Sequence, residues 1–303
     1  MEASRVPPAP VALPAEAGGV RQVLADYVAL TKPKVQSLLL LTTVCSMEIA
    51  GDPSVGLIAL TVVGGYLSAG GAGAVNHYFD RDIDALMPRT ANRPVPAGRV
   101  APRAALAFGI VLAVLSFVLL AATVNLLSAA LALAGFLGYV FVYTVWLKRR
   151  TPQNIVIGGA AGAVPPLVGW AAVTGGLGGM PLYLFAIVFF WTPPHFWALS
   201  LLMKSEYERV GVPMLPVVRG EQETRRQILL YAILLWAVTQ LPFCAGGLGT
   251  LYLVSSLVLG ALLIGGAAVL YRRADRRSAL RLYLFSLVYL ALLFVAMVVD
   301  VKL

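Results

Sequence analysis

Oxygen-bearing side chains recur at four-residue intervals between positions 76 and 84, as Asn76, Asp80 and Asp84. Residues four apart on a helix lie about 40° from each other around the axis, so these three side chains share one stripe while Asp82 points away. Such a stripe is self-repelling unless a cation lies among its oxygens. Mg²⁺ favours one or two carboxylates together with substrate phosphate oxygens. The spacing therefore predicts a metal and diphosphate site, the alternative being a solvated acidic helix end.

Arginines are dense immediately after this stripe. Arg81 directly follows Asp80, and Arg89 and Arg93 follow in a loop stiffened by Pro88 and Pro94. Guanidinium groups match phosphate geometry bidentately, so Arg81 is a candidate catalytic residue, and Arg89 and Arg93 are candidate substrate ligands. The alternative is that these arginines only hold the loop on the cytoplasmic side of the membrane.

Two further segments carry candidate ligands. Lys148 opens a run of three cations that either contacts an anion or anchors a helix at lipid headgroups. In a second loop, Lys204 and Tyr207 are candidate substrate-binding residues, and Glu206 is a candidate metal ligand.

The chain has two histidines, His77 beside the acidic stripe and His195 after two prolines. Each is interpreted either as a hydrogen-bonded packing residue or, if the substrate is a metallated ring, as a substrate-binding residue. The sequence does not choose between them.

The elements that position these residues must cross a membrane. With 59% hydrophobic and 12% charged residues in 303, the chain is too apolar for an ordinary soluble domain. Segments of about 20 apolar residues can span a bilayer as helices. Every backbone N–H and C=O group in lipid must be hydrogen-bonded within the protein, which a helix achieves by itself. We predict an all-α, polytopic bundle of nine transmembrane helices, at residues 33 to 50, 55 to 79, 104 to 123, 126 to 147, 153 to 174, 181 to 203, 227 to 245, 250 to 271 and 280 to 300.

The positions of the basic residues follow the membrane topology, so the net charge of +9 does not indicate nucleic-acid binding. Of 23 basic residues, all except Lys302 precede the first span or lie in every second connection. The positive-inside rule then predicts a cytoplasmic N-terminus, with the charged loops and the active site on the cytoplasmic side of the cell (inner) membrane.

The N-terminal residues 1 to 24 are predicted to be a disordered cytoplasmic tail, and residues 25 to 303 a single transmembrane domain. Cys45 and Cys244 fall in different spans without a CxxC spacing, so we interpret them as packing residues.

Five motifs resemble the UbiA superfamily of intramembrane prenyltransferases, in particular its haem-farnesylating members. They are Asn76-xxx-Asp80-xxx-Asp84 within Tyr78-Phe79-Asp80-Arg81-Asp82-Ile83-Asp84, Met87-xx-Thr90-xx-Arg93-Pro94, Pro152-Gln153-Asn154-Ile155-Val156-Ile157-Gly158-Gly159, Trp191-Thr192-Pro193-Pro194-His195-Phe196-Trp197, and Pro213-Met214-Leu215-Pro216-Val217-Val218. The resemblance runs from about residue 25 to the C-terminus.

This resemblance implies that two cytoplasmic loops clamp Mg²⁺-bound farnesyl diphosphate, with the vinyl group of haem b as acceptor, haem O as product, and the lipid bilayer around the bundle. Haem A synthase or a terminal-oxidase assembly would be partners. Many superfamily members carry a second DxxxD motif where this chain has Lys204-Ser205-Glu206-Tyr207-Glu208, so the role of Glu206 departs from the family pattern.

Two alternatives remain at the level of sequence. A related prenyltransferase would act on an aromatic acid or quinone precursor, but it should lack the motifs around His195 and Met214. A membrane transporter would instead place polar residues near the middle of its spans.

Overall fold

The structure is a computed structural model that describes residues 19–303. All regular secondary structure in these residues is helical, and no strand occurs among them. The predicted all-α class is confirmed. The helices are α1 (Val20–Leu30), α2 (Pro33–Ala50), α3 (Val55–Phe79), α4 (Arg81–Leu86), α5 (Pro102–Thr123), α6 (Leu126–Leu137), a π-helix (Gly138–Leu147), α7 (Asn154–Gly162), α8 (Val164–Thr174), α9 (Gly179–Leu202), α10 (Lys204–Arg209), α11 (Leu215–Val218), α12 (Gly220–Val238), α13 (Leu241–Cys244), α14 (Thr250–Arg273) and α15 (Arg276–Lys302).

All nine predicted spans coincide with helices. Within residues 19–303, eight helical segments are long and apolar enough to cross a membrane, and α2 is not among them although it has 18 residues. The polytopic character is confirmed, while the count of nine stays a prediction. The seventh span begins earlier than predicted, because α12 continues through the charged residues 220 to 226.

The helix ends follow local chemistry. The side chains of Ser54, Asn125 and Asp275 accept backbone N–H hydrogen bonds at the first turns of α3, α6 and α15. A helix break at Ala163 separates α7 from α8, just before the paired prolines 165 and 166.

The helices form a closed circuit in which α2 packs on α3, α3 on α5, α5 on α6, the π-helix on α7, α7 on α9, α9 on α12, α12 on α14, α14 on α15, and α15 on α2. Backbones approach closely at two glycine contacts. A Cβ at Gly71 would lie 2.6 Å from the carbonyl oxygen of Gly109, and one at Gly169 would collide with the carbonyl oxygen of Thr43. Small residues therefore set the spacing between α3 and α5 and between α2 and α8.

The two ends of the bundle differ in chemistry. Arg276 donates to the carbonyl of Leu202, so α15 begins where α9 ends, at the basic end of the bundle. Lys302 donates to the carbonyl of Gly51 and to Asp52 at the opposite end. Lys302 therefore lies at the opposite end of the bundle from Arg276, as the charge pattern predicted. Which end faces the cytoplasm stays a prediction.

The prediction of a disordered tail is wrong for residues 20 to 24, because α1 begins at Val20. Two contacts hold α1 on the bundle. The ring of Tyr27 lies 4.9 Å from that of Phe108, and Asp26 forms an ion pair with Arg99. Residues 1 to 18 of the predicted tail lie outside the described residues.

Candidate active site at the basic end of the bundle

The acidic stripe lies at the junction between α3 and α4. Helical hydrogen bonding continues through this junction, because the Asp80 amide donates to the Asn76 carbonyl (2.9 Å) and the Asp84 amide donates to the Asp80 carbonyl (2.7 Å). The side chains therefore stay in register, and Asn76, Asp80 and Asp84 are 3%, 1% and 3% exposed. The Asp82 side chain is 61% exposed. The predicted stripe, with Asp82 outside it, is confirmed as a geometric feature.

Asp80 is the centre of the polar network. Its Oδ2 accepts from Asn76 Nδ2 at 2.7 Å and from Lys148 Nζ. Its Oδ1 is buried and has no hydrogen-bond partner among the described residues, although the Arg149 guanidinium lies 3.8 Å away. One carboxylate oxygen therefore remains available inside the site.

A π-helix delivers Lys148 and Thr144 to this network. The amide of Lys148 donates to the carbonyl of Tyr143, five residues earlier, at 2.9 Å. Thr144 Oγ1 accepts the second N–H of Asn76 at 3.1 Å. π-helical turns are rare and frequent at functional sites. For Lys148, the interpretation as a lipid-headgroup anchor is not supported, since its ammonium pairs with the buried Asp80.

Two residues of the loop after α4 form hydrogen bonds with Asp84. Arg93 donates to Asp84 Oδ2 at 2.7 Å, and the Thr90 hydroxyl donates to the Asp84 carbonyl at 2.8 Å. The structure thus brings Arg93 into the site. Arg89 is exposed in the same loop.

Arg81 lies apart from the buried polar network, and its catalytic role stays a prediction. Its guanidinium donates to the Tyr78 carbonyl at 2.6 Å and lies over the Tyr78 ring at 4.6 Å, away from the buried stripe. A position one residue after Asp80 is rotated by about 100° around a helix, so adjacency in sequence does not put the Arg81 side chain on the stripe. Arg149 also binds outside the stripe, with two hydrogen bonds to Asp82. This pairing lowers the pKa of Asp82 to about 2, chiefly through the hydrogen bond.

Lys32 is a site residue that the sequence did not reveal. Its Nζ donates to Asn76 Oδ1 at 2.6 Å from the junction of α1 and α2. Burial, with the neighbouring charge of Arg93, lowers the pKa of Lys32 to about 7. In sequence it resembled an ordinary basic residue before a span, and only the long-range packing of α1 and α2 against α3 brings it to Asn76.

The second loop converges on the first around Tyr207. Burial raises the pKa of Tyr207, and charges from both loops act on its hydroxyl, with Arg89 and Arg93 lowering the pKa and Glu206 and Asp80 raising it. Ile83 and Met87 of the first loop share a hydrophobic core cluster with Tyr207, Val212 and Met214 of the second.

Within the second loop, the two predicted polar ligands differ in placement. Glu206 Oε2 is buried and has no hydrogen-bond partner in the part of the chain that the structure describes. Lys204 pairs instead with Glu221 at 3.2 Å, and both side chains are partly exposed. The structure supports the candidacy of Glu206 more directly than that of Lys204.

The two histidines occupy different surroundings. His77 is 1% exposed, and neither of its ring nitrogens has a hydrogen-bond partner within residues 19–303. His195 is only partly buried. Its ring stacks between Trp191 (4.3 Å between centroids) and Tyr283 (4.9 Å), and its Nδ1 lies 2.7 Å from Ser286 Oγ.

A protein-only metal shell is not formed by these side chains. Within residues 19–303, no group of three or more His, Cys, Asp or Glu side chains is arranged to hold a metal ion, so Glu206 does not join Asp80 and Asp84 in one such group. The donor set nevertheless fits Mg²⁺ bound with a phosphate ligand, which needs only one or two carboxylates. The unpartnered Oδ1 of Asp80 is a suitable protein oxygen for such an ion.

The charge balance of the site favours an anion. Lys32, Arg93 and Lys148 face Asp80 and Asp84, which leaves one net positive charge when all five groups are ionised. A diphosphate together with a divalent cation would complement both the excess cations and the free carboxylate oxygen.

Comparison with known proteins identifies the family. The UbiA prenyltransferase family model matches residues 39–295. A protoheme IX farnesyltransferase of Roseiflexus sp. (strain RS-1) is 57% identical over 284 residues, covering 93% of this chain and 53% of the relative. One from Thermus thermophilus is 57% identical over 277 residues, covering 91% and 46%. The chain thus spans about half the length of these relatives. One from Symbiobacterium thermophilum is 55% identical over 284 residues, covering 92% and 95%.

Solved structures agree in fold. A digeranylgeranylglyceryl phosphate synthase superposes with a TM-score of 0.77 at 20% identity, covering 93% of this chain and 100% of that one. A UbiA homologue from Archaeoglobus fulgidus bound to DMAPP and Mg²⁺ gives 0.68 at 16% identity, covering 90% and 99%. The extent of the family match and the identity to curated relatives lead to one conclusion: this chain is an integral membrane protein of the UbiA prenyltransferase family.

Proposed function

We propose that this chain transfers the farnesyl group of farnesyl diphosphate to a vinyl group of haem b, with addition of water, giving haem O and diphosphate. The observation that carries the proposal is the convergence of Asn76, Asp80 and Asp84 with Lys148 and Arg93 at one end of the bundle. The haem acceptor is supported by the names of the relatives that match nearly the whole chain.

The diphosphate end of the donor would be bound by cations of the first loop and the π-helix. Arg93 and Lys148 form ion pairs with Asp84 and Asp80, and the hydroxyl of Tyr207 in the second loop would donate to a phosphate oxygen. Mg²⁺, held by Asp80 and Asp84 with Asn76, would supply Lewis-acid stabilisation of the charge that develops on the diphosphate. The protein side chains add fixed positive charge in a water-poor site, where electrostatic stabilisation is strong.

In this proposal the allylic C–O bond breaks and its electron pair leaves with the diphosphate. The vinyl π electrons of haem b form the new C–C bond to the farnesyl carbon. Water adds to the cation left beside the porphyrin and releases a proton, which gives a hydroxyethylfarnesyl group. No protein nucleophile is required.

His195 is the better candidate for contact with haem. The single hydroxyl proton of Ser286 goes to the Tyr283 carbonyl at 2.7 Å, so its oxygen is left to accept from His195 Nδ1–H. That tautomer leaves a lone pair on Nε2, the state in which imidazole ligates iron. Stacking against Trp191 fixes the plane of the ring. Within residues 19–303, neither ring nitrogen of His77 has a hydrogen-bond partner that would fix its tautomer.

The basic connections support a cytoplasmic active site in the cell membrane under the positive-inside rule. The proposed partners beyond the substrates, haem A synthase or a terminal-oxidase assembly, would receive haem O.

Incubation of membranes containing the chain with haem b, Mg²⁺ and farnesyl diphosphate, followed by mass analysis of extracted haem, tests the proposed function. We expect a gain equal to one farnesyl group and one hydroxyl group, dependent on all three additions. Unmodified haem would contradict it, and a prenylated aromatic acid in a parallel incubation would favour the related enzyme class.

A further inference from the structure

Lys32 adopts a backbone conformation that L-residues rarely use. Its φ and ψ are 53° and 54°, in the left-handed region, at the break between α1 and α2. Non-glycine residues in this region persist only where the surroundings enforce them, and they cluster at functional sites. Here the neighbouring Thr31 is fixed by hydrogen bonds to the Val28 carbonyl and the Tyr66 hydroxyl, both 2.8 Å.

The side chain of Lys32 uses the one free acceptor of Asn76. Both amide protons of Asn76 are donated, to Asp80 Oδ2 and to Thr144 Oγ1, at 2.7 and 3.1 Å. Lysine can only donate, so the atom it meets at 2.6 Å is the amide oxygen. This oxygen is also the atom through which Asn76 could ligate a cation.

Lys32 and a metal ion therefore compete for Asn76 Oδ1. The lysine ammonium has three N–H donors on a flexible four-carbon stem, and phosphate oxygens are strong acceptors for it. We propose that Lys32 is a diphosphate-binding residue that pairs with Asn76 in the substrate-free site and moves to the diphosphate when it binds, which frees Asn76 Oδ1 for a cation. This inference rests on the proposed function, since it requires a diphosphate substrate.

Lys34 provides a matched control. It lies two residues away, in the first turn of α2, and is exposed. Removing its charge alters the N-terminal basic cluster by the same amount, without touching Asn76.

The experiment compares Lys32→Asn, Lys34→Asn and the unaltered full chain in lipid nanodiscs. Asparagine tolerates the left-handed conformation better than most residues, so Lys32→Asn removes charge with little backbone cost. Two affinities are measured: that of inorganic diphosphate in the presence of Mg²⁺, and that of Mn²⁺ without diphosphate, by electron paramagnetic resonance.

For Lys32→Asn we expect diphosphate binding to weaken by about 10- to 100-fold, the range for loss of a hydrogen bond between charged groups. We expect Mn²⁺ binding to tighten in the same variant, because Asn76 Oδ1 has lost its competitor. A purely structural role would weaken both together. Lys34→Asn should change neither affinity by more than about twofold, since exposed charges interact weakly.

Unchanged diphosphate affinity in Lys32→Asn, or a parallel loss of both affinities, would overturn the inference. Lys32→Arg is the second variant, and it retains the charge and the donors. It should bind diphosphate within about fivefold of the unaltered chain by the same measure, and a loss there of about 10-fold or more would also overturn the inference. If the unaltered chain bound no diphosphate with Mg²⁺, the proposed function itself would fail.

Discussion

Replacing Asp80 by Asn removes one negative charge from the centre of the site while keeping the shape of the side chain. Asp80 is 1% exposed, and its Oδ2 accepts from both Asn76 and Lys148. The amide retains a single oxygen, which cannot serve a metal ion and both donors together. The substitution therefore separates the electrostatic role of Asp80 from its packing role.

The magnitude follows from the contacts. Breaking a buried ion pair by truncating one member costs about 3–5 kcal/mol, but the amide oxygen of Asp80→Asn can still accept one hydrogen bond, so we expect a stability loss of about 1–3 kcal/mol. Activity should fall further. Loss of one preorganised electrostatic group reduces kcat by about 10²- to 10³-fold, and loss of a metal ligand adds to this, so we expect at least about 10³-fold.

Asp82→Asn is the matched control, because its carboxylate is 61% exposed and pairs with Arg149 outside the stripe. An exposed pair contributes about 0–1 kcal/mol, so the control should keep activity within about threefold. The assay is the initial rate of haem farnesylation in nanodiscs, with thermal unfolding recorded for each variant. An Asp80→Asn protein that is folded and within about tenfold of the unaltered rate would refute the assignment, as would an equal loss in Asp82→Asn.

Three further substitutions test other parts of the structure. Arg93→Gln removes the guanidinium on Asp84 and should raise KM for farnesyl diphosphate about 10- to 100-fold in steady-state kinetics; an unchanged KM would exclude Arg93 from the donor site. His195→Gln should weaken haem binding and shift its visible absorption spectrum; an identical spectrum would exclude it as an iron ligand. Gly169→Ala should destabilise the fold by about 1–3 kcal/mol in thermal unfolding, because its methyl group would meet a backbone carbonyl of α2, whereas Gly162→Ala, with open space around its Cβ, should be neutral or slightly stabilising.

Hydropathy was sufficient to locate the long apolar helices, since lipid imposes length and apolar character on each span. The bounds of α2 and α3 agree with the predicted segments. The start of α12 was missed because its first two turns are charged, and a charged helix that extends beyond the apolar layer has the composition of a loop.

The acidic stripe could be predicted because four-residue spacing is a local property of a helix. Its partners could not. Lys32 and Thr144 reach Asn76 across 44 and 68 residues of sequence, so their roles depend on packing between distant helices. The π-helix was also missed, since nothing in the apolar run 138 to 147 distinguishes it from an α-helix.

For Arg81 and Lys148 the structure adds contacts that the sequence did not show. The position of Arg81 beside Asp80 suggested a catalytic role, yet helical phase turns it toward Tyr78. For Lys148 the sequence left lipid anchoring and anion contact open, and the ion pair with Asp80 supports the second.

The central claim, that a metal-diphosphate site on α3 and α4 serves a haem acceptor, is tested most directly by an acceptor competition. The chain in nanodiscs is given radiolabelled farnesyl diphosphate, Mg²⁺, haem b and an aromatic acid in one sample, and the label in each extracted acceptor is counted. We predict label in the haem fraction, lost when Mg²⁺ is chelated or when Asp80 is replaced by Asn. Label in the aromatic acid, or label in haem that persists after either treatment, would contradict the account.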